Sequence, residues 1–187
     1  MTESLDYFNF LDTINPQDAK IIHSLFQPKM VKKNTYLLRE GQVCEDNYII
    51  TKGVAIKSFN LDNKEITTDI YLIGDIAFSF DSFTYQTKST ESIIAITDLE
   101  LLSIKYQDYT EAKAKYPWLV KYDTIFMERY IVQLEHKLKE LTTLNAAQRY
   151  EKILTHHTKL LQEVPLKIIA SYLNVSVERL SRIRAQI

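Results

Sequence analysis

Two arginines, a glutamate and a serine lie close together near the C-terminal end of the chain, in the stretch SVERLSRIR. Glu178 and Arg182 are four residues apart, so on a helix both side chains project from the same face. Arginine can bond guanine through two hydrogen bonds, and a carboxylate can accept one from cytosine. Ser176 and Arg179 come at the start of the same segment, where a helix N-terminus and a cation attract phosphate groups. The pattern therefore favours contact with base edges in the major groove.

The residues around this group predict a helix-turn-helix that begins near Pro165. The first helix has one apolar stripe at helical spacing, made of Leu166, Ile169, Ala170 and Leu173. Asn174 is suited to the left-handed turn, and Ser176 to the N-cap of the second helix, which buries Leu180 and Ile183. The candidate DNA-binding residues are Lys167, Ser176, Val177, Glu178, Arg179 and Arg182. By itself, the pattern also fits two packed surface helices of any α-helical bundle.

Charge is distributed unevenly along the chain, although the formal net charge of the whole is only −1. From residue 141 to the end, seven lysines and arginines stand against three acidic residues, a local charge of +4. Residues 1–140 carry 16 basic and 21 acidic side chains, a charge of −5. A basic C-terminal region on an acidic body favours nucleic acid as a partner, and two subunits would double its charge.

The N-terminal part of the chain predicts one short helix followed by a β-rich region. Asn15 is placed to cap that helix, and Pro16 occupies its first position. From about Lys29 to Tyr106, short runs rich in β-branched residues alternate with turn residues, and the three glycines of the chain lie in these turns. Several short strands at this spacing are typical of an antiparallel barrel or jelly roll.

The region after Pro117 predicts one long helix that ends at about Thr142 and joins the β-rich region to the helix-turn-helix. Apolar residues of the helix recur with a period of seven, which is typical of a parallel two-stranded coiled coil. The predicted dimer seam consists of Met127, Ile131, Leu134, Leu138 and Leu141. A second apolar face, from Leu119 to Tyr130, is expected to pack on the β-rich region. The alternative is a long helix buried inside a monomer, which competes mainly over the first two turns.

This order of elements resembles the cyclic-AMP receptor protein/FNR (Crp/Fnr) superfamily of transcription factors over the whole chain. The segments LLREGQVCEDNYIITKG and YLIGD are similar to its glycine turns, and VPLKIIASYLNVSVERLSRI is similar to its helix-turn-helix. The resemblance implies an α+β fold with a cyclic-nucleotide-binding-like β-roll (jelly roll) over 1–116. A dimerisation helix would follow over 117–143, and a helix-turn-helix DNA-binding domain over 144–187. It also places Ser176, Glu178 and Arg182 at base-contacting positions.

The C-terminal domain departs from the superfamily pattern in having no hairpin wing. Asn145 and Gln148 predict a capping box at the start of a further helix, which presents Tyr150 and Ile153 to the helix-turn-helix. The stretch HHTKLLQEV that follows reads as a turn of helix rather than as two strands. The chain is therefore similar to a short subgroup of the superfamily.

The expected ligand pocket differs from the superfamily pattern more than the C-terminal domain does. Members that bind cyclic nucleotides have a Gly-Glu pair and, ten residues later, an Arg-Ser or Arg-Thr pair, which hold the ribose and the phosphate. This chain has Phe78-Ser79 and Ser89-Thr90 at those places, and Leu134-Glu135 where the adenine-contacting pair stands. A buried phosphate without its arginine costs several kcal/mol, about the penalty for any unpaired buried charge. Cyclic AMP is therefore not expected as the effector.

The pocket residues still permit a different effector of unidentified chemistry. The hydroxyls of Ser79, Tyr85, Ser89 and Thr90 are candidates to line a site for a less anionic molecule, with Phe78 beside them. The alternative is that Phe78 simply fills the cavity.

Composition excludes several other classes of protein. One cysteine, Cys44, cannot form an intramolecular disulfide, and the four histidines show no metal-ligand spacing, so no metal or cofactor is expected. No signal peptide, membrane span, nucleophile–base pair or phosphate-binding loop is visible, which predicts a cytoplasmic protein that is not an enzyme. The leading hypothesis is a homodimeric regulator that binds double-stranded DNA, with RNA polymerase as a further partner. The competing hypothesis is a ligand-binding or scaffolding module whose helical tail contacts only proteins.

Overall fold

The computed structural model describes residues 14–62, 64–156 and 158–186, without the side chains of residues 156, 158 and 159. Residues 1–13 and Asn63 of the predicted roll domain, together with His157 and Ile187, lie outside the described residues. The mixed fold expected from the sequence, with a β-roll followed by helices, is confirmed.

Within the described residues, eight strands form two antiparallel sheets of four strands each. The strands are β1 (Gln27–Val31), β2 (Tyr36–Leu38), β3 (Asp46–Lys52), β4 (Ala55–Leu61), β5 (Lys64–Tyr71), β6 (Ile76–Ala77), β7 (Ser92–Ala95) and β8 (Leu99–Lys105). The first sheet has the order β1-β8-β3-β6 and the second the order β2-β7-β4-β5. Because side chains alternate between the two faces of each strand, one set fills the roll and the other faces the helices.

The turn between β3 and β4 illustrates why the glycines of the β-rich region matter. Gly53 has a φ of +91°, and a Cβ atom at this position would lie 2.4 Å from the Asp98 carbonyl oxygen. Only glycine combines this backbone conformation with so close an approach. The hairpin therefore depends on a residue without a side chain.

Helices surround the roll in the part of the chain that is described. They are α1 (Pro16–Leu25), α2 (Phe80–Tyr85), α3 (Tyr106–Lys115), α4 (Leu119–Thr143), α5 (Ala146–His156), α6 (Thr158–Glu163), α7 (Leu166–Tyr172) and α8 (Val177–Arg184). The predicted cap of α1 is confirmed, since the Asn15 side chain accepts hydrogen bonds from the amides of Gln17 and Asp18. The long predicted helix is confirmed as α4, which has 25 residues.

The helices that replace the wing also match the sequence prediction. Asn145 and Gln148 form the capping box of α5: the Asn145 amide donates to Gln148 Oε1 at 2.9 Å, and the Gln148 amide donates to Asn145 Oδ1 at 3.1 Å. The described residues from 155 to 163 are helical, as the sequence predicts for this stretch, and Val164 forms a bend before Pro165.

The outer face of the first sheet is covered by α1, α3 and the beginning of α4. Ile49 and Leu102 of the sheet pack against Ile22 of α1 and against Leu119 and Tyr122 of α4. This arrangement fixes the start of the long helix on the roll. No helix in the described part of the chain is long and apolar enough to cross a membrane.

The outer face of the second sheet is covered by the C-terminal helices. Ile56 of β4 shares one core with Ile153 of α5, Ile169 of α7 and Leu180 of α8. At the open edge of this sheet, the amide of Thr67 on β5 donates to the hydroxyl of Ser171 on α7 at 2.9 Å. The helix-turn-helix is therefore packed directly on the roll rather than carried on a separate stalk.

Candidate nucleic-acid interface and effector pocket

The turn of the helix-turn-helix is built by one asparagine in the left-handed conformation. Asn174 has a φ of 54°, and the Val175 amide donates to the Ala170 carbonyl at 3.0 Å. The Ser176 hydroxyl then accepts from the Arg179 amide at 3.2 Å and caps α8. Both roles were predicted from the sequence and are confirmed.

Helix α8 has an apolar face toward the core and a polar face toward solvent. Leu180 and Ile183 are buried, whereas Glu178, Arg179 and Arg182 are exposed. The pKa of the Glu178 carboxyl lies below its usual value because it accepts hydrogen bonds from its own amide and from the Ser176 hydroxyl. The Glu178 carboxyl therefore stands on this face as a carboxylate at neutral pH.

All six candidate DNA-binding residues are exposed, and five of them lie together at the cap and first turns of α8. These five are Ser176, Val177, Glu178, Arg179 and Arg182. Lys167 lies apart from them, near the start of α7, where it too is exposed. This geometry suits one inserted helix with a second helix beside it, as in the docking of helix-turn-helix proteins.

The predicted dimer seam lies open along the second half of α4. Four of its five residues have 45–63% of their surface exposed: Ile131, Leu134, Leu138 and Leu141. Met127 is half-buried, because the roll reaches this part of the helix. A row of exposed apolar side chains on a helix is unusual for a single soluble chain and marks an interaction surface.

The two serines at the places of the superfamily's nucleotide clamp lie together inside the roll. Ser79 and Ser89 are buried, with their hydroxyl oxygens 3.1 Å apart. Ser79 Oγ also lies 3.0 Å from Asp81 Oδ1 and 3.4 Å from Glu91 Oε2. The serine pair therefore faces carboxylate oxygens, the reverse of what a phosphate requires.

An ion-paired network that includes Glu91 continues from this pair across the roll. Lys57 of β4 is only 7% exposed, and its Nζ lies 3.1 Å from Asp69 Oδ2 and 3.6 Å from Glu91 Oε2. Asp69 also pairs with Lys137 of α4 at 2.5 Å. Burial alone would lower the pKa of Lys57, but Tyr71 and the two carboxylates raise it above its usual value. Lys57 is thus a cation whose charge is balanced by carboxylates of the same chain.

The side chains of the other predicted pocket residues have surroundings different from those of the serine pair. Phe78 is buried in an aromatic cluster, with its ring centroid 5.7 Å from Phe80 and 6.0 Å from Phe83. Thr90 is exposed. The placement of Tyr85 in the pocket was wrong: the residue is 74% exposed, because it ends the short helix α2 with its ring toward solvent.

The sequence reasoning missed Lys57 and its partners. A usable signal was present, since Lys57 is two residues from Ala55 in the run VAIKSF, and alternation puts both on the inner face of the strand. A lysine on an inner face requires an acidic partner. Which acids supply it depends on how the strands pair.

Comparison with known families agrees with this architecture. Residues 28–116 match the family model described as "Cyclic nucleotide-binding domain". They contain all eight strands except the first residue of β1, and both clamp serines. The family thus describes the roll, and the helices from α4 onward lie outside the match.

Similar proteins extend the comparison to the whole chain. A stretch of 142 residues is 25% identical to the "Anaerobic regulatory protein" of Bacillus subtilis (strain 168) and covers 71% of this chain. The match spans only 59% of that relative's length. The structure of FixK2 from Bradyrhizobium japonicum superposes with a TM-score of 0.73 at 15% identity, covering 86% of this chain and 83% of that one.

A second solved structure has the same layout. The catabolite activator protein of Thermus thermophilus superposes with a TM-score of 0.59 at 19% identity, covering 95% of this chain and 85% of that one. The fold predicted from the sequence, a roll followed by a long helix and C-terminal helices, is therefore confirmed.

Proposed function

We propose that this protein is a homodimeric, sequence-specific DNA-binding regulator of transcription of the Crp/Fnr type. The observation that carries the proposal is the exposed face of α8, where Glu178, Arg179 and Arg182 stand on a capped helix buried from behind by Leu180 and Ile183. Such a helix presents side chains of the right length and charge to the major groove. RNA polymerase is then a further partner, and the cytoplasm is where the protein acts.

Pairing of two α4 helices along the open seam would set the spacing of the two α8 helices. A two-fold related pair reads half-sites roughly 34 Å apart, about one turn of the duplex. The operator should then be an inverted repeat. This step rests on Ile131, Leu134, Leu138 and Leu141, whose exposure leaves the seam free for a second copy.

Selection from a pool of random duplexes tests the proposal. We expect an enriched motif with dyad symmetry, and Arg182→Ala should lose about 1–3 kcal/mol together with the preference at one base pair per half-site. Arg179→Ala should weaken binding to all sequences alike and flatten the dependence of affinity on salt. Lys105→Ala removes an exposed cation on the roll and serves as the matched control. A motif without symmetry, or unchanged base preferences in the Arg182 variant, contradicts the assignment.

The effector is proposed not to be a cyclic nucleotide. A cyclic phosphate at the clamp position would meet the carboxylates near Ser79, and Lys57 is already neutralised by Asp69 and Glu91. Calorimetry with cyclic AMP and cyclic GMP should therefore show no binding at physiological concentrations. Micromolar affinity in the unmodified chain is the result that would overturn this expectation.

The competing function, a module that binds only proteins through its helical tail, makes a different prediction about salt. Contacts to phosphates release counterions, so DNA affinity should fall linearly with salt on logarithmic axes, with a slope of about −0.9 per phosphate contacted. A tail that binds only proteins would show no retention of duplex DNA at low salt. A band-shift titration across a series of salt concentrations separates the two functions.

A further inference from the structure

A cavity lies between the first sheet and the helices that cover its outer face, and Phe78, the chain neighbour of the clamp serine Ser79, is one of its lining residues. It has a volume of about 430 Å³ and is lined by the outer face of the first sheet, α1, α2, α3 and the first turns of α4. Most of its lining is aliphatic or aromatic, including Ile49, Phe83, Tyr109, Tyr122 and Phe126. Pockets of roughly 300–1,000 Å³ with such walls hold small organic ligands.

One polar atom in this apolar wall has no partner among the described residues. Asn47 of β3 lines the cavity, and its side-chain oxygen Oδ1 is buried without a hydrogen bond. A buried acceptor that has lost water and gained no donor destabilises the fold, and such atoms are rare. The side chain stands on the same face of β3 as Ile49, so it belongs to the wall of the cavity and not to the roll interior.

The charged groups at the rim of the cavity neutralise one another. The Tyr109 hydroxyl donates a short hydrogen bond to Asp123 Oδ1, and Lys113 Nζ lies 3.4 Å from Asp123 Oδ2. Burial, together with the hydrogen bond to Asp123, raises the pKa of Tyr109 above its usual value, so the hydroxyl keeps its proton. With Lys113 and Asp123 paired, the cavity offers no net charge to an ionic ligand.

We propose that this cavity binds an uncharged aromatic molecule that donates one N–H or O–H hydrogen bond to Asn47 Oδ1. Aromatic walls favour a planar ring through edge and offset contacts. The unpaired oxygen selects molecules with a donor over hydrocarbons of the same shape, since only a donor restores its lost hydrogen bond. The balanced rim disfavours anions and cations alike.

The cavity also reaches the predicted dimer seam. Met127 lines the cavity and is one of the five seam residues. A bound ligand would therefore press on the part of α4 at which the roll ends and the seam begins. This consequence for assembly and DNA binding rests on the proposed function, whereas binding in the cavity does not.

Indole and indene provide the test, because the two bicyclic molecules have nearly the same shape and only indole carries an N–H donor. Calorimetry on the full chain should show indole binding about tenfold more tightly than indene. In Asn47→Leu the two affinities should become equal. Asn60→Leu, the same change at an exposed position of β4, should leave the preference intact.

A cavity-filling variant keeps the test valid if Asn47→Leu fails to fold. Ile104 lines the cavity from β8, and Ile104→Phe should reduce indole binding at least tenfold in a chain whose folding is verified by its thermal unfolding. Absence of indole binding to the unmodified chain, or equal binding of indole and indene, overturns the proposal. DNA binding that is retained in such an outcome leaves the proposed function standing, so the two failures are distinguishable.

Discussion

The two halves of α4 carry apolar side chains of the same kind in opposite surroundings. In the first half, Leu119 and Tyr122 are each 6% exposed, because they pack on the outer face of the first sheet. In the second half, Ile131 is 60% exposed and Leu138 is 63% exposed. The chain covers the apolar side chains of the first half itself and leaves those of the second half exposed, so only the second half is available for the proposed contact with another copy.

The second half of α4 also makes a polar contact with the roll. Lys137, in the exposed half, donates from Nζ to the Thr68 carbonyl at 2.7 Å and pairs with Asp69 at 2.5 Å. It thereby ties the second half of the helix to the edge strand β5 through a residue that flanks the seam. The second half is thus held in place by polar contacts to the roll, while its apolar row remains free for a second copy.

The largest expected effect is on assembly. Replacing Leu134 and Leu138 together by glutamate would bring four carboxylates into the paired seam, where they lose their solvation. We expect the dimer dissociation constant to rise by about 100-fold or more, measured by analytical ultracentrifugation. Val132→Glu with His136→Glu adds the same four carboxylates to the dimer outside the seam on the same helix and should leave the dimer intact. A charged seam that remains dimeric would place the interface elsewhere.

The next largest effect is on the free energy of unfolding, when an apolar side chain is shortened to alanine in each half of α4. In the monomeric background of the charged seam, Leu119→Ala should lower the free energy of unfolding by about 2–5 kcal/mol, because it leaves a cavity in a packed core. Ile131→Ala should change it by less than about 0.5 kcal/mol, because its side chain is mostly in solvent. Urea unfolding measures both. Equal losses would mean that a single chain covers both halves.

The smallest expected effect is on stability and concerns the ion pair between Lys137 and Asp69. Lys137→Met should lower the free energy of unfolding by about 0.5–1 kcal/mol, since the ion pair is about one-third exposed and screened by solvent. The loss should shrink in high salt. Lys139→Met, at an exposed position two residues along the helix, is the control and should have no effect. A full loss that is insensitive to salt would show that packing, not charge, holds Lys137.

Much of the architecture could be predicted because its signals are local. Asn15, Asn145 and Ser176 each cap a helix as their types suggest, since a capping hydrogen bond joins atoms two or three residues apart. The period of seven along α4 picked out a row of side chains of which four out of five are exposed, although their role in a dimer stays a prediction. Tyr85 was misplaced because a short helix near a turn can direct a tyrosine inward or outward, and only the packing of its neighbours decides which.

Some features of the candidate sites could not be predicted from residues close together in the sequence. Lys57 pairs with Asp69 and Glu91, which reach it only because β4 lies between β5 and β7 in the second sheet. Asn47 is unpaired only because helices cover the outer face of the first sheet. Neither condition is encoded within a few residues of the side chain concerned.

The sequence by itself determined where the backbone must turn and where helices begin. Gly53 and Asn174 are needed at left-handed positions, and their residue types reveal this without any partner. Tertiary structure alone decided that the helix-turn-helix shares a core with the roll, that Lys57 is neutralised inside it, and that a cavity with an orphan acceptor forms beside α4. The physical reason is range: steric limits on the backbone act within a residue or two, whereas burial and charge pairing depend on side chains far apart in the chain.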